Sequence, residues 1–179
     1  MPKWKEDYMT KTKRALMFIA PQFDEKEFIY PYYRLQEAGY VVDVAGEKAE
    51  EYKGKSDLSF EADITYADAN EGDYDTLVIP GGFAPDKMRT NSDALELVRA
   101  FHKANKPIAM ICHAGWVAVS ADVIDGVKLT STKAIKDDMV NAGAKWEDSE
   151  VVVDQGFITS RSPDDLPVFM KTLLDELEK

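Results

Sequence analysis

The sequence of 179 residues contains one cysteine and two histidines, and this scarcity limits its chemistry before any pattern is read. A lone cysteine forms no intramolecular disulfide, so an oxidising compartment is not required. Two histidines and one cysteine stand in no recognised ligand spacing, so no metal site is expected. No Walker loop or dinucleotide glycine fingerprint occurs, and no cofactor is expected. No stretch approaches the roughly 18 apolar residues of a membrane-spanning helix. The opening MPKWKEDYMTKTKR is polar and charged throughout, unlike a signal peptide. These absences make the cytoplasm the expected location, with no membrane partner. Positive charge is also short: 22 Lys and Arg face 33 Asp and Glu, a net charge of −11 that repels a phosphate backbone and argues against nucleic acid as a partner.

What is present reads as an α/β chain. The runs Arg14–Ala20, Tyr40–Ala45, Asp75–Pro80 and Lys106–Cys112 are short and almost continuously apolar, as strands buried on both faces are. Helix-like or mixed sequence separates them, which predicts a mainly parallel sheet with helices on its faces. A helix is expected from about Glu25 to Ala38, bent near Pro31 and stopped by Gly39. Further helices are expected from the cap Asn91-Ser92-Asp93 to Ala104, from Thr132 to Ala142, and from Ser162-Pro163 toward Leu177. EVVVDQGFITSR reads as two strands, and residues 46–71 as a turn with one or two short strands. The expected organisation is a polar tail over residues 1–12 and a single domain over 13–179.

Three places carry chemistry. Cys112 stands where the apolar strand PIAMI passes into HAGWVAVS without a loop. Such a junction forces a sharp turn that lifts the side chain above the carboxyl edge of the sheet, where open α/β folds bind ligands. Most lone cysteines are packing residues, but the junction and the adjacent His113 argue for a nucleophile. The first amides of the new helix are expected to face the sulfur and lower its pKa. His113 either serves the thiol or reaches across a cleft toward a carboxylate or a subunit partner. The second place is PGGFAPD, where two glycines after a strand let an N–H approach a ligand; Gly82 and His113 amides form a candidate oxyanion hole. The third is the first loop, whose carboxylates stand at the same edge and include Asp24.

These marks, together with FDEKEFIYPYYRLQEAG, KAIKDDMVNAGAKW and VVVDQGFITSRSPDDLP, resemble the PfpI intracellular-protease family, whose superfamily includes the parkinsonism-associated protein deglycase. The resemblance runs from about Lys13 to the C-terminus. It implies a flavodoxin-like, class I glutamine amidotransferase-like three-layer α/β/α sandwich with its nucleophile elbow at Cys112 and His113 beside it. It implies that a first-loop carboxylate contacts the cysteine, at Asp24, where the family has glutamate. It further implies that a neighbouring subunit supplies an acid at Asp86, again an aspartate in a glutamate position, so that a homo-oligomer is expected. After the histidine the family usually continues Gly-Pro, whereas this chain has Ala114-Gly115-Trp116. The function so implied is a cysteine-dependent hydrolase of the peptidase type, using Cys112, His113 and a carboxylate. Its rivals are cofactor-independent glyoxalase or deglycase action on 2-oxoaldehydes or their adducts, and a non-catalytic stress-response chaperone or redox sensor working through Cys112 oxidation.

Overall fold

The computed structural model describes residues 11–179, so residues 1–10 of the polar tail lie outside it. In chain order the elements are β1 (Arg14–Phe18), α1 (Glu25–Glu37), β2 (Val41–Gly46), β3 (Glu51–Lys53), β4 (Ser59–Glu61), β5 (Ile64–Thr65), β6 (Thr76–Ile79), α2 (Ala84–Met88), α3 (Ser92–Lys103), β7 (Ile108–Ile111) and α4 (Gly115–Ala121). Then follow β8 (Lys128–Leu129), α5 (Lys136–Asn141), β9 (Lys145–Trp146), β10 (Val152–Asp154), β11 (Phe157–Ser160) and α6 (Leu166–Leu177). Seven strands form one sheet in the order β10-β11-β7-β6-β1-β2-β5, parallel except for the β10–β11 pair.

The apolar runs occupy the middle of this sheet. Every residue of β6, β7 and β11 is buried, and so are the last four of β1, because helices cover both faces. α1 packs with α6, and α3 with α4, which completes a flavodoxin-like three-layer α/β/α sandwich. The reversal of strand order on either side of β1 leaves a crevice at the carboxyl edge, where the ends of β1, β6 and β7 meet.

Several expectations shift in detail. α1 runs through Pro31 without interruption, leaving the carbonyl of Glu27 without its helical N–H donor. Thr132–Ala142 is not one helix: a 3₁₀ turn over Lys133–Ile135 precedes α5. Ser162 makes no side-chain cap; Asp165 instead takes the Arg161 backbone N–H and guanidinium. Residues 46–71 hold the β3–β4 hairpin and β5, and the Phe60 ring of the hairpin lies 4.7 Å from Phe28 and 4.8 Å from Tyr32 on α1. The short parallel pair β8–β9 carried no signal in the sequence. Among the described residues no helix is long and apolar enough to cross a membrane.

Candidate active site

Cys112 follows β7 directly, with φ at +61°, and a 3₁₀ turn over Cys112–Ala114 leads into α4. A non-glycine residue in the left-handed region is strained, and its surroundings must hold it there. The Cys112 carbonyl accepts the Thr132 N–H at 3.1 Å. The turn also brings His113 Nδ1 to 3.3 Å from Sγ, so these adjacent side chains do meet.

Behind the sulfur stands Gly81. A Cβ at that position would lie 2.5 Å from Glu27 Oε1, 2.8 Å from Cys112 Cβ and 3.0 Å from the Ile111 carbonyl, so only glycine admits both side chains. Gly82, at φ +80°, is bridged to Phe23 of the first loop, and a Cβ there would meet the backbone of Gln22, Phe23 and Asp24. The first loop and the glycine loop are therefore in direct backbone contact. The N–H groups of Gly82 and His113 both face the Cys112 sulfur.

The carboxylate beside the thiol is Glu27, which corrects the expectation of Asp24. Asp24 is the N-cap of α1: its Oδ1 accepts the N–H groups of Lys26 at 3.0 Å and Glu27 at 3.1 Å, and its Oδ2 pairs with Lys55 at 3.2 Å. Glu27, in the first turn of the helix Asp24 caps, is fully buried, and its Oε1 accepts the Gly81 N–H at 3.0 Å. Its Oε2 is buried without a hydrogen-bond partner among the described residues, and the Cys112 side chain lies beside the carboxyl group. The glutamate has thus not been shortened to an aspartate; it lies three residues further on. A signal existed in the sequence, since Glu27 falls on the same stripe as the buried Phe28, Pro31 and Leu35.

Burial, followed by the charge of Asp24, pushes Glu27 up to about 8. Burial, followed by the Glu27 carboxylate, pushes the Cys112 thiol up to about 12, against the pull of the His113 and Gly82 amides. The expected low thiol pKa is corrected in direction: desolvation outweighs the amides, and the turn after the sulfur is 3₁₀ before α4 begins. At neutral pH Glu27 holds its proton, so its charge does not oppose a thiolate. Burial, and then the charge of Lys55, lowers His113, which is neutral at pH 7.

Asp86 is exposed on α2, and among the described residues no hydrogen bond or ion pair joins it to His113. It borders a cleft of about 390 Å³ with Pro21, Gln22, Phe83, Lys87 and Trp116. The His113 and Trp116 rings lie 5.3 Å apart, and Trp116 Nε1 donates to Asp138 at 2.8 Å. Trp116 is thereby a fixed wall of the site.

Comparison with known proteins bears on the family and the fold. Deglycase PfpI of Pyrococcus furiosus is 41% identical over 165 residues, 92% of this chain and 99% of its own. A crystal structure of a two-domain protein from Anabaena variabilis, containing DJ-1/ThiJ/PfpI-like and ferritin-like domains, superimposes with a TM-score of 0.92 at 40% identity over 93% of this chain, which spans 48% of that larger one. Drosophila melanogaster DJ-1beta gives a TM-score of 0.87 at 33% identity, covering 93% of this chain and 91% of its own. With residues 13–176 matching the DJ-1/PfpI family, the chain belongs to that family.

Proposed function

We propose that the chain is a cysteine-dependent enzyme acting on 2-oxoaldehydes and their early adducts, with Cys112 as nucleophile and Glu27 as proton carrier. One observation carries the reading: a fully buried carboxyl, pushed up to about 8, lies directly beside the elbow thiol. The name of the Pyrococcus relative, a deglycase, supports it.

The reactive form holds one proton between Glu27 and Cys112. As thiolate, Sγ forms a bond to the aldehyde carbon, and the oxygen that becomes negative is held by the Gly82 and His113 amides and takes the Glu27 proton. Glu27, now ionised, removes the hydrogen on that carbon as a proton; the hydroxyl proton passes to the adjacent ketone oxygen, and Glu27 returns its own proton to the ketone carbon. This leaves a thioester of a 2-hydroxy acid. Water, deprotonated by Glu27, cleaves the thioester, releasing the acid and restoring the pair. Because the pair must lose its first proton, turnover falls as pH drops below about 8.

The test is lactate formation from methylglyoxal by the wild type, Cys112→Ala and Glu27→Gln. Both variants are expected to lose at least about a hundredfold. Retained turnover in Cys112→Ala would overturn the proposal.

A peptidase is the second reading, favoured by the 3.3 Å approach of His113 Nδ1 to Sγ. It requires an acid to orient His113, and Asp86 of a second copy of the chain is the group proposed. On that reading Asp86→Ala abolishes cleavage of fluorogenic peptides while leaving methylglyoxal turnover intact, and the active species is an oligomer by light scattering. A fully active monomer would remove it.

A further inference from the structure

Above the reacting pair lies a cation that the chemistry just described does not use. Lys55 sits in the turn between β3 and β4, and that turn is tied down on several sides. Its own N–H donates to the Phe23 carbonyl at 3.0 Å, Gln22 N donates to the Lys53 carbonyl at 2.7 Å, and Gly54 N closes the turn on Leu58 at 2.8 Å. The Glu25 carboxylate accepts the Ser56 N–H, and Phe60 anchors the hairpin to α1. The side chain therefore starts from a fixed backbone.

The Lys55 ammonium lies 3.2 Å from Asp24 Oδ2 and 5.9 Å from the centre of the Phe83 ring. Asp24 N donates to the Gly81 carbonyl at 3.2 Å, and Phe83 follows Gly82 directly, so the ammonium stands between the two loops that frame the sulfur. One of its three donors is engaged by Asp24, and the side chain is 40% exposed. The charge acts on three separate groups of the site, Glu27, Cys112 and His113. Asp24 already shares its charge with two backbone N–H groups, which weakens its hold on the ammonium.

We propose that Lys55 is a specificity-determining residue that gives the Cys112 site a preference for anionic electrophiles, those 2-oxoaldehydes and adducts that also carry a carboxylate. The proposal deepens the functional reading above by naming the substrate class, and it rests on that reading only for the identity of the reaction. In a chain of net charge −11, with Asp24 and Asp86 near the opening, an anion is otherwise disfavoured. Lys55, seconded by Lys87 on the adjoining cleft, reverses that bias at the mouth.

The test compares alkylation of Cys112 by iodoacetate and iodoacetamide, nearly equal in size and differing in charge. The ratio of the two rates cancels any change in thiol ionisation. Lys55→Met is expected to lower the iodoacetate-to-iodoacetamide ratio by about threefold to tenfold at low salt, and Lys55→Arg to preserve it. Asp24→Asn, which keeps an N-cap side chain, is expected to raise the ratio by freeing the ammonium. An unchanged ratio in Lys55→Met overturns the proposal; if that variant does not fold, an unchanged ratio in Asp24→Asn overturns it. Loss of methylglyoxal turnover in every form of the protein, with a Lys55-dependent ratio, would sink the reaction and leave this inference standing.

Discussion

Glu27 retains at neutral pH a proton that an exposed glutamate loses near 4.5, and this difference couples the site to the stability of the fold. Its folded pKa lies above its unfolded one, so the folded state binds more protons between about 4.5 and 8, and stability declines as pH rises through that window. Urea unfolding at pH 5.5 and 8.5 should show the wild type losing about 3 kcal/mol more than Glu27→Gln, in which the Gly81 N–H keeps its acceptor and the ionisation is gone. Equal losses would mean that Glu27 is ionised in the native protein. The same substitution separates charge from hydrogen bonding at the sulfur. Below pH 7 a protonated Glu27 and a glutamine present similar groups, so Cys112 alkylation by iodoacetamide should be equal in the two proteins. Above pH 8 the Glu27 carboxylate opposes the thiolate, and the glutamine variant should become several-fold faster. Cys112, His113 and Gly82 were readable in the sequence because each lies at the end of an apolar run. Glu27 was not, because three acids crowd one loop and their roles separate only once the start of α1 is fixed. An aspartate at the cap, and an acid one turn later among Phe28, Pro31 and Leu35, are the distinguishing marks.

Among the elements, the glycine loop between β6 and α2 is the most constrained. Gly81 touches Glu27 and Cys112 at once, and its carbonyl and N–H bond to the first loop and to Glu27. Gly81→Ala is expected to keep the sheet, because the clash is confined to the carboxyl edge, and to lower methylglyoxal turnover at least about tenfold by pushing the Glu27 and Cys112 side chains apart. Normal turnover with unchanged circular dichroism would show that their contact is dispensable. The central strands were legible because burial on both faces leaves an uninterrupted apolar run. The β3–β4 hairpin was only partly legible: three-residue strands whose sides differ in exposure leave too short a pattern, and the ring contacts that fix the hairpin come from α1, distant in sequence. α5 starts later than its helix-like sequence suggests, since Lys133–Ile135 wind as a 3₁₀ turn directly after Thr132, whose N–H is bonded to Cys112.

Across the whole molecule, one sheet edge gathers segments far apart in the chain. Gln22 N bonds to Lys53, Lys55 N to Phe23, Asp24 N to Gly81 and Phe83 N to Gln22, so the first loop, the hairpin turn and the glycine loop share a single backbone lattice. Removing one bond from such a lattice releases little, because the remaining bonds hold the same segments in place. The amides of Gln22, Asp24, Lys55 and Phe83 should therefore surrender their protons to deuterium at one common rate, slower than exposed turns elsewhere, and a covalent adduct on Cys112 should slow all four by the same factor. The pocket would then behave as one mechanical body that opens as a unit or not at all.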